Sequence, residues 1–332
     1  LLAGDLHSEA RCFSPASGEA AAYLMFTSGS TGLPKGVQIS HRALDQFTAA
    51  ARLRYGVQQG DRVLQFAPFN FDASIEEVFV TLSAGGTLVL RTDAMLESMT
   101  AFTDSLSEQN IQLLDLPTAF WNEWVVALGS GQVQLPACLR TVIIGGEAVY
   151  PQQLAQWQQQ GRADIRLINT YGPTEATVVA SSCDLQQLNA EVEQLPIGLP
   201  LPGTAALILG ASDYPASEGE LVLCGPQLAS GYLGEAQGGF AQLRIGTQTL
   251  PVYRTGDRVR LEQGQLVYLG RQDNEFKISG YRIQPGEVEA QLLTLPGIDE
   301  ACVQGVIFGA GVRRLVAFVA GSLKDARSIK RQ

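Results

Sequence analysis

The sequence predicts an α/β protein: mostly parallel sheets with flanking helices, a small β-rich subdomain, and part of a small α+β unit at the C-terminal end. Three observations carry this expectation. Between residues 21 and 195, short apolar runs of strand length alternate with segments whose apolar residues recur at helical spacing. From about Pro196 the chain changes to brief strands punctuated by Gly and Pro. Beyond Arg271 it becomes a mixture of strands and one helix.

The elements follow in order. Residues 1–20, rich in Ala, Ser, Gly and Glu, read as a linker. The α/β core is expected over 21–195. It opens with a strand at 22–26, a Gly-rich loop at 27–36, and a helix at 40–54 with Ser40 as N-cap and Leu44, Phe47 and Ala51 on one face. A strand at 63–66, a helix at 72–83 and strands at 87–90, 111–116 and 139–144 continue the alternation, which implies mostly parallel pairing. The β-rich subdomain is expected over 196–270, with strands at 219–224, 259–262 and 265–269. The last unit, 271–332, offers strands near 276–278, 303–308 and 315–320 and a helix at 286–293. It then stops in a charged tail without a closing element.

With 332 residues, 45% of them hydrophobic, the chain can bury a large core and form more than one folding unit. Its formal net charge of -10 provides no basic field for nucleic acid or an anionic membrane, so any phosphate must be held locally. Cys12, Cys138, Cys183, Cys224 and Cys302 are odd in number and contain no C-x-x-C pair. They read as reduced thiols rather than a disulfide framework or zinc site. No leader pattern opens the chain and no apolar run approaches the roughly 18 residues that span a bilayer, so a cytoplasmic protein is expected.

The string Thr27-Ser28-Gly29-Ser30-Thr31-Gly32-Leu33-Pro34-Lys35-Gly36 concentrates hydroxyls, glycines and one lysine between a strand and a later helix. Glycines let backbone N–H groups approach an anion, hydroxyls donate to its oxygens, and the lysine supplies charge. This is a phosphate cradle. It differs from the common P-loop, which places Gly-Lys-Ser/Thr together. Further along, Asn169-Thr170-Tyr171-Gly172-Pro173-Thr174-Glu175 brings an aromatic ring, a tight turn, a hydroxyl and a carboxylate within seven residues.

Together with Phe71-Asp72-Ala73-Ser74, Gly145-Gly146-Glu147-Ala148, Gly219-Glu220-Leu221, Tyr253-Arg254-Thr255-Gly256-Asp257, Gly270-Arg271-Gln272-Asp273 and Lys277-Ile278-Ser279-Gly280, these strings cover nearly the whole chain. The series resembles the adenylate-forming superfamily, which includes peptide-synthetase adenylation domains, acyl-CoA synthetases and luciferases. The resemblance implies the adenylate-forming fold with a hinged C-terminal subdomain, and ATP/AMP and Mg²⁺ as cofactors. It implies that Thr27, Ser28, Gly29, Ser30, Thr31, Gly32 and Lys35 hold phosphate, and that Thr27, Lys35, Thr174 and Glu175 act in catalysis. Tyr171 would stack on adenine while Asn169 and the backbone of Gly145, Gly146, Glu147 and Ala148 read its edge. Gly172 would form the turn beneath it, Thr174 contact phosphate and Glu175 hold Mg²⁺, which favours carboxylate plus phosphate oxygens. Asp257 corresponds to a ribose-binding carboxylate, Arg271 to a residue near ribose and phosphate, and Asp273 to the hinge; Arg271 and Asp273 also read as a surface ion pair. Gly280 belongs to a loop expected near an incoming pantetheine arm. In the family a carboxylate is joined to AMP with release of pyrophosphate. The small subdomain then turns so that a phosphopantetheine thiol on a carrier protein attacks the acyl-adenylate.

Asp72 within Phe71-Asp72-Ala73-Ser74 separates amino-acid activators from acyl-CoA ligases, since an aspartate there neutralises an α-ammonium group. The resemblance therefore points to a nonribosomal peptide synthetase, with a peptidyl carrier protein and neighbouring synthetase domains as partners. The side-chain pocket carried over comprises Ala73, Glu76, Asp115, Ile143, Gly145, Thr170, Val178 and Val179. Asp72 and Glu76 share a helix face, whereas Glu77 is turned roughly 100° away and is expected in solvent. Unpaired buried carboxylates are costly, so Glu76 and Asp115 are expected to meet a cationic side chain, lysine before ornithine or arginine because the valines and Ile143 would sleeve a methylene stem. The alternative is that one of them hydrogen-bonds within the protein and the substrate is a neutral polar amino acid.

Two departures from the family pattern stand out. Only about twenty residues precede the phosphate loop, and no Asn-Gly-Lys stretch follows Gly280; Lys330 does not match it. The chain reads as cut short at both ends, and a non-catalytic nucleotide-binding fragment is the rival to an active enzyme.

Overall fold

A computed structural model describes residues 16–27, 34–160, 162–186, 188, 192–234, 238–273, 276–278, 281–308 and 312–322. Ser28, Gly29, Ser30, Thr31, Gly32 and Gly280, all singled out above, lie outside the described residues.

β1 (Ala21–Thr27) and β2 (Lys35–Ser40) pair antiparallel, so the two ends of the Gly-rich string, Thr27 and Lys35, are register partners. α1 (His41–Tyr55) starts at once: the Ser40 hydroxyl accepts the Ala43 N–H at 3.2 Å, satisfying a donor that the first turn leaves open. It stops at Gly56, whose φ of +70° few other residues adopt and whose N–H reaches the Arg52 carbonyl. Leu44, Phe47 and Ala51 are buried, as their spacing requires.

The alternating region follows as β3 (Arg62–Gln65), α2 (Ala73–Ser83), β4 (Thr87–Leu90), a 3₁₀ turn (Asp93–Leu96), α3 (Met99–Glu108), β5 (Leu113–Pro117), α4 (Thr118–Gly129), β6 (Thr141–Gly145), α5 (Pro151–Gln158) and β7 (Arg166–Tyr171). In space the strands run β4-β3-β5-β6-β7, all parallel. Beyond a 3₁₀ turn at Thr174–Ala176 the chain forms β8 (Ser181–Asp184), β9 (Pro196–Pro200), β10 (Ala205–Leu209), β11 (Glu218–Cys224), β12 (Gly231–Tyr232), β13 (Phe240–Ile245), β14 (Gln248–Glu262) and β15 (Gln265–Arg271). These strands pair antiparallel. β8 joins β7 to β9 and β9 joins β15, so one mixed sheet of twelve strands runs through both regions. β12 instead extends the β1–β2 hairpin by pairing with β2. The C-terminal unit holds the hairpin β16 (Phe276–Ile278) and β17 (Tyr281–Ile283), α6 (Pro285–Leu293), and the hairpin β18 (Glu300–Phe308) and β19 (Val312–Ala320).

The inner parallel strands β3, β5, β6 and β7 are buried on both faces, which explains their apolar runs, while the edge strand β4 is only half-buried. Leu114, Leu116, Val142 and Ile144 face a core with Trp121, Trp124 and Trp157 from α4 and α5. Leu113, Ile143 and Ile168 face the opposite way, into a core with Phe47 and Tyr55 of α1, Val80 of α2, and Val178 and Val179. Alternation along β5 puts Asp115 on that second face, beside Leu113. Among the described residues no helix is long and apolar enough to cross a membrane.

Candidate active site

Most of the singled-out residues gather where the parallel strands end. Their register aligns Asp115 with Ile143 and Ile168, and Pro117 with Gly145 and Thr170, so Asp115, Gly145 and Thr170 share one rim of the sheet. Ligands in open α/β sheets bind outside this edge, where loops leave the strands. Gly145 is required there: a Cβ would come within 2.5 Å of the Thr170 hydroxyl, which donates to the Ile144 carbonyl at 3.0 Å. The loop that follows is pinned by Thr118, whose hydroxyl lies 3.0 Å from the Gly145 carbonyl and 3.2 Å from that of Glu147. Gly146 takes a φ of +86°.

Asp72 precedes α2 and accepts the Thr174 hydroxyl at 2.5 Å, bringing two separated motifs into contact. Glu76, one turn into α2, and Asp115 are 3% and 8% exposed. Glu76 Oε1, Asp115 Oδ2 and the Tyr55 hydroxyl are buried atoms without a hydrogen-bond partner among the described residues. Burial, then the neighbouring Asp115 carboxylate, holds Glu76 well above the usual carboxylate range; burial raises Asp115 to about 7. Each of the two carboxyls lies close enough to bear on the other's protonation. Ile143, Val178 and Val179 belong to the same core as Tyr55, giving this acidic pair apolar walls. Ala73 and Phe71 are half-buried at the start of α2.

Glu77 departs from expectation. It is 2% exposed rather than in solvent, because the C-terminal end of β3 lies along its side of α2. Its carboxylate accepts the backbone N–H of Phe66 at 2.8 Å and of Ala67 at 3.0 Å, and the Gln65 amide at 3.1 Å. Burial and Asp115 still raise it to about 9. The helical angle separating Glu76 from Glu77 is real, but both sides of this helix are covered.

Thr27, Lys35, Glu175, Tyr232, Thr255, Gly256 and Arg271 line one cleft of about 300 Å³. Asp257 accepts the Tyr171 hydroxyl and, at 3.0 Å, Arg271 Nη1. Arg271 also forms a fork on Asp273, at 2.7 and 2.8 Å, so the ion pair read from sequence is part of a network that reaches Asp257. Glu175 is 1% exposed and accepts the Tyr232 hydroxyl at 2.7 Å, while Lys35 Nζ sits 5.7 Å from the Tyr232 ring. Asn169 is turned inward: its amide donates to the Pro196 carbonyl at 2.9 Å, tying β7 to β9.

A family model described as AMP-binding enzyme matches residues 5–233. The chain belongs to the AMP-binding enzyme family. Among curated relatives it is 51% identical over 302 residues to an isonitrile lipopeptide synthase of Streptomyces coeruleorubidus, covering 90% of this chain and 20% of that protein. It is 37% identical over 304 residues to the AMB antimetabolite synthetase AmbB of Pseudomonas aeruginosa, covering 90% of this chain and 24% of that one. The chain thus spans about a fifth to a quarter of these relatives. Among solved structures, a nonribosomal peptide synthetase protein containing adenylation and PCP domains, bound to a vinylsulfonamide inhibitor, superposes with a TM-score of 0.85 at 27% identity, over 98% of this chain and 58% of that one. The Vibrio cholerae adenylation domain AlmE, in complex with glycyl-adenosine-5'-phosphate, gives 0.78 at 26% identity, over 91% and 58%. These neighbours carry the adenylate-forming fold expected from the motifs.

In this AMP-binding enzyme, three residues around the site carried no sequence signal that singled them out. Tyr55 ends α1 and reads as one more apolar-face residue. Tyr232 lies in a two-residue strand. Gln227 is fully buried in the connection between β11 and β12. A glutamine in such a connection is a signal only once its burial is known. Among the described residues no cluster of three His, Cys, Asp or Glu that could hold a metal is present, and Glu175 offers the cleft a single carboxylate. Mg²⁺ there would take its remaining oxygens from phosphate and water.

Proposed function

We propose that this chain is the nucleotide- and amino-acid-binding part of a nonribosomal peptide synthetase adenylation domain. It activates an amino acid as its aminoacyl-adenylate for transfer to the phosphopantetheine thiol of a carrier protein. The substrate is a basic amino acid, lysine before ornithine or arginine. The relatives named above support the general activity. The observation that carries the substrate is the Glu76–Asp115 pair, enclosed beside apolar walls with one oxygen of each lacking a partner. An ammonium group offers three N–H donors and a positive charge to such a pair.

On this reading, each residue's task follows from where it stands. Asp72 takes the α-ammonium, which fixes the substrate carboxylate toward Thr174 and the cleft. Lys35 and Thr27 hold the phosphates beside Glu175. Asp257, oriented by Tyr171 and Arg271, accepts from the ribose hydroxyls, while Tyr171 offers its ring to adenine. Asp273 marks the hinge. Mg²⁺, when bound at Glu175, would neutralise phosphate charge. The proximity of Glu76 and Asp115 favours a second reading, in which one of them keeps a proton for the other and the substrate is neutral and polar. Calorimetry with non-hydrolysable aminoacyl-adenylate analogues separates the two. Lysyl or ornithyl analogues binding at least about 100-fold more tightly than the glutaminyl analogue supports the basic substrate, a difference of roughly 3 kcal/mol. Equal or reversed affinities contradict it.

A further inference from the structure

The turn between β7 and β8 is held in a conformation that its own residues disfavour. Thr177 and Val178, both β-branched, take φ of +56° and +67° in succession. Such residues persist in the left-handed region only where their surroundings over-determine it. Backbone bonds supply part of that hold, from the Thr177 N–H to the Thr174 carbonyl at 3.1 Å and from the Ala180 N–H to the Tyr171 carbonyl at 2.8 Å, and one buried side chain adds to it. Gln227 is fully buried, and its Nε2 donates at 2.8 Å to the carbonyl of Ala176 and at 2.8 Å to that of Val179, bracketing the two strained residues. The main-chain carbonyl of Gln227 accepts the Thr177 hydroxyl at 2.6 Å. Nearby, the Ala229 N–H donates to the Glu175 carbonyl at 2.8 Å. Gly172 permits the fold-back, since a Cβ there would lie 2.3 Å from the Val178 carbonyl.

We infer that Gln227 is a positioning residue for both ends of the active site. One buried amide sets the turn that presents Glu175 to the nucleotide cleft on one side and Val178 and Val179 to the amino-acid chamber on the other. Both bonds of the Gln227 amide go to main-chain carbonyls, so it acts through the backbone between Glu175 and the valines. The assignment rests on the proposed adenylation activity but not on the identity of the amino acid.

The test compares Gln227→Met, which keeps length and removes both donors, with Leu154→Val, a core truncation in α5, in the full synthetase. Amino-acid-dependent pyrophosphate exchange and hydrogen exchange of the 174–180 amides are measured. For Gln227→Met the expected result is a joint rise of about tenfold in KM for ATP and for the amino acid, with amide exchange in 174–180 at least tenfold faster. Leu154→Val should lower Tm while leaving both KM values and that segment's exchange unchanged. A Gln227→Met protein with unaltered exchange in 174–180, or one that changes only Tm like the control, overturns the inference. If the wild type activates only neutral amino acids, the basic-substrate reading fails while the joint shift still decides the role of Gln227.

Discussion

A carboxylate enclosed in a protein interior costs several kcal/mol unless it gains a partner or keeps a proton, so the acidic residues of α2 and β5 need separate explanations. Glu77 has one in the backbone N–H groups of Phe66 and Ala67. Glu77→Ala leaves both donors without that acceptor and is expected to lower unfolding stability by about 2–4 kcal/mol in urea titrations, with amino-acid preference unchanged. Glu76 Oε1 and Asp115 Oδ2 have no hydrogen-bond partner among the described residues. Asp115→Asn is expected to reduce kcat/KM for the basic substrate roughly 100-fold, in line with the roughly 3 kcal/mol lost when one partner of a buried charge pair is removed. With Asp115 raised to about 7, the carboxylate that receives the cation is lost as pH falls. KM for a basic amino acid should therefore rise about tenfold per pH unit below about 7, one proton per substrate, while KM for a neutral one stays flat. At this scale the spacing placed Glu76 on the Asp72 side of α2, and both Glu76 and Asp115 are buried. It misplaced Glu77, because a helical wheel separates faces but does not say how many of them are covered.

At the scale of elements, strong local periodicity was legible and weak pairing was not. The helix over His41–Tyr55 and the strand at Thr87–Leu90 follow directly from capping and apolar spacing. The long strand Gln248–Glu262 did not, since only its end alternates cleanly and Pro251 interrupts the pattern; it is held by neighbours on both sides. The turn after β7 was equally hidden. Two positive-φ residues of this kind cost on the order of 1–3 kcal/mol each, which the surrounding hydrogen bonds must offset. Gly172→Ala pushes directly on that turn. It is expected to raise KM for ATP and amino acid together, read by exchange kinetics, and to lower Tm by several degrees.

For the whole molecule, the sheet carries structure from the parallel region to the antiparallel one through β9, and the cleft lies where the two meet the β1–β2 hairpin. Arg271 links these parts by holding Asp257 and Asp273 at once. Arg271→Gln should raise KM for ATP about tenfold and leave KM for the amino acid unchanged. Buried acids also shape global stability. Glu76, Glu77 and Asp115 are all raised above their unfolded values, so their contribution is full below about pH 4 and is lost as pH rises, Asp115 near 7 and Glu77 near 9. Unfolding midpoints of the ligand-free chain should fall between pH 5 and 9, and a bound basic amino acid should restore them by re-pairing the carboxylates. The motif order along the chain made the fold readable in advance. What it did not reveal was how far the acidic pair is enclosed, because burial is a property of the packed sheet and helices together.

The most direct measurement is ATP–pyrophosphate exchange by the full synthetase across single amino acids at pH 8. The predicted result is strong exchange with lysine or ornithine and at least about 100-fold less with leucine, phenylalanine and glutamine. Robust exchange with those neutral amino acids and none with lysine, ornithine or arginine would contradict the account.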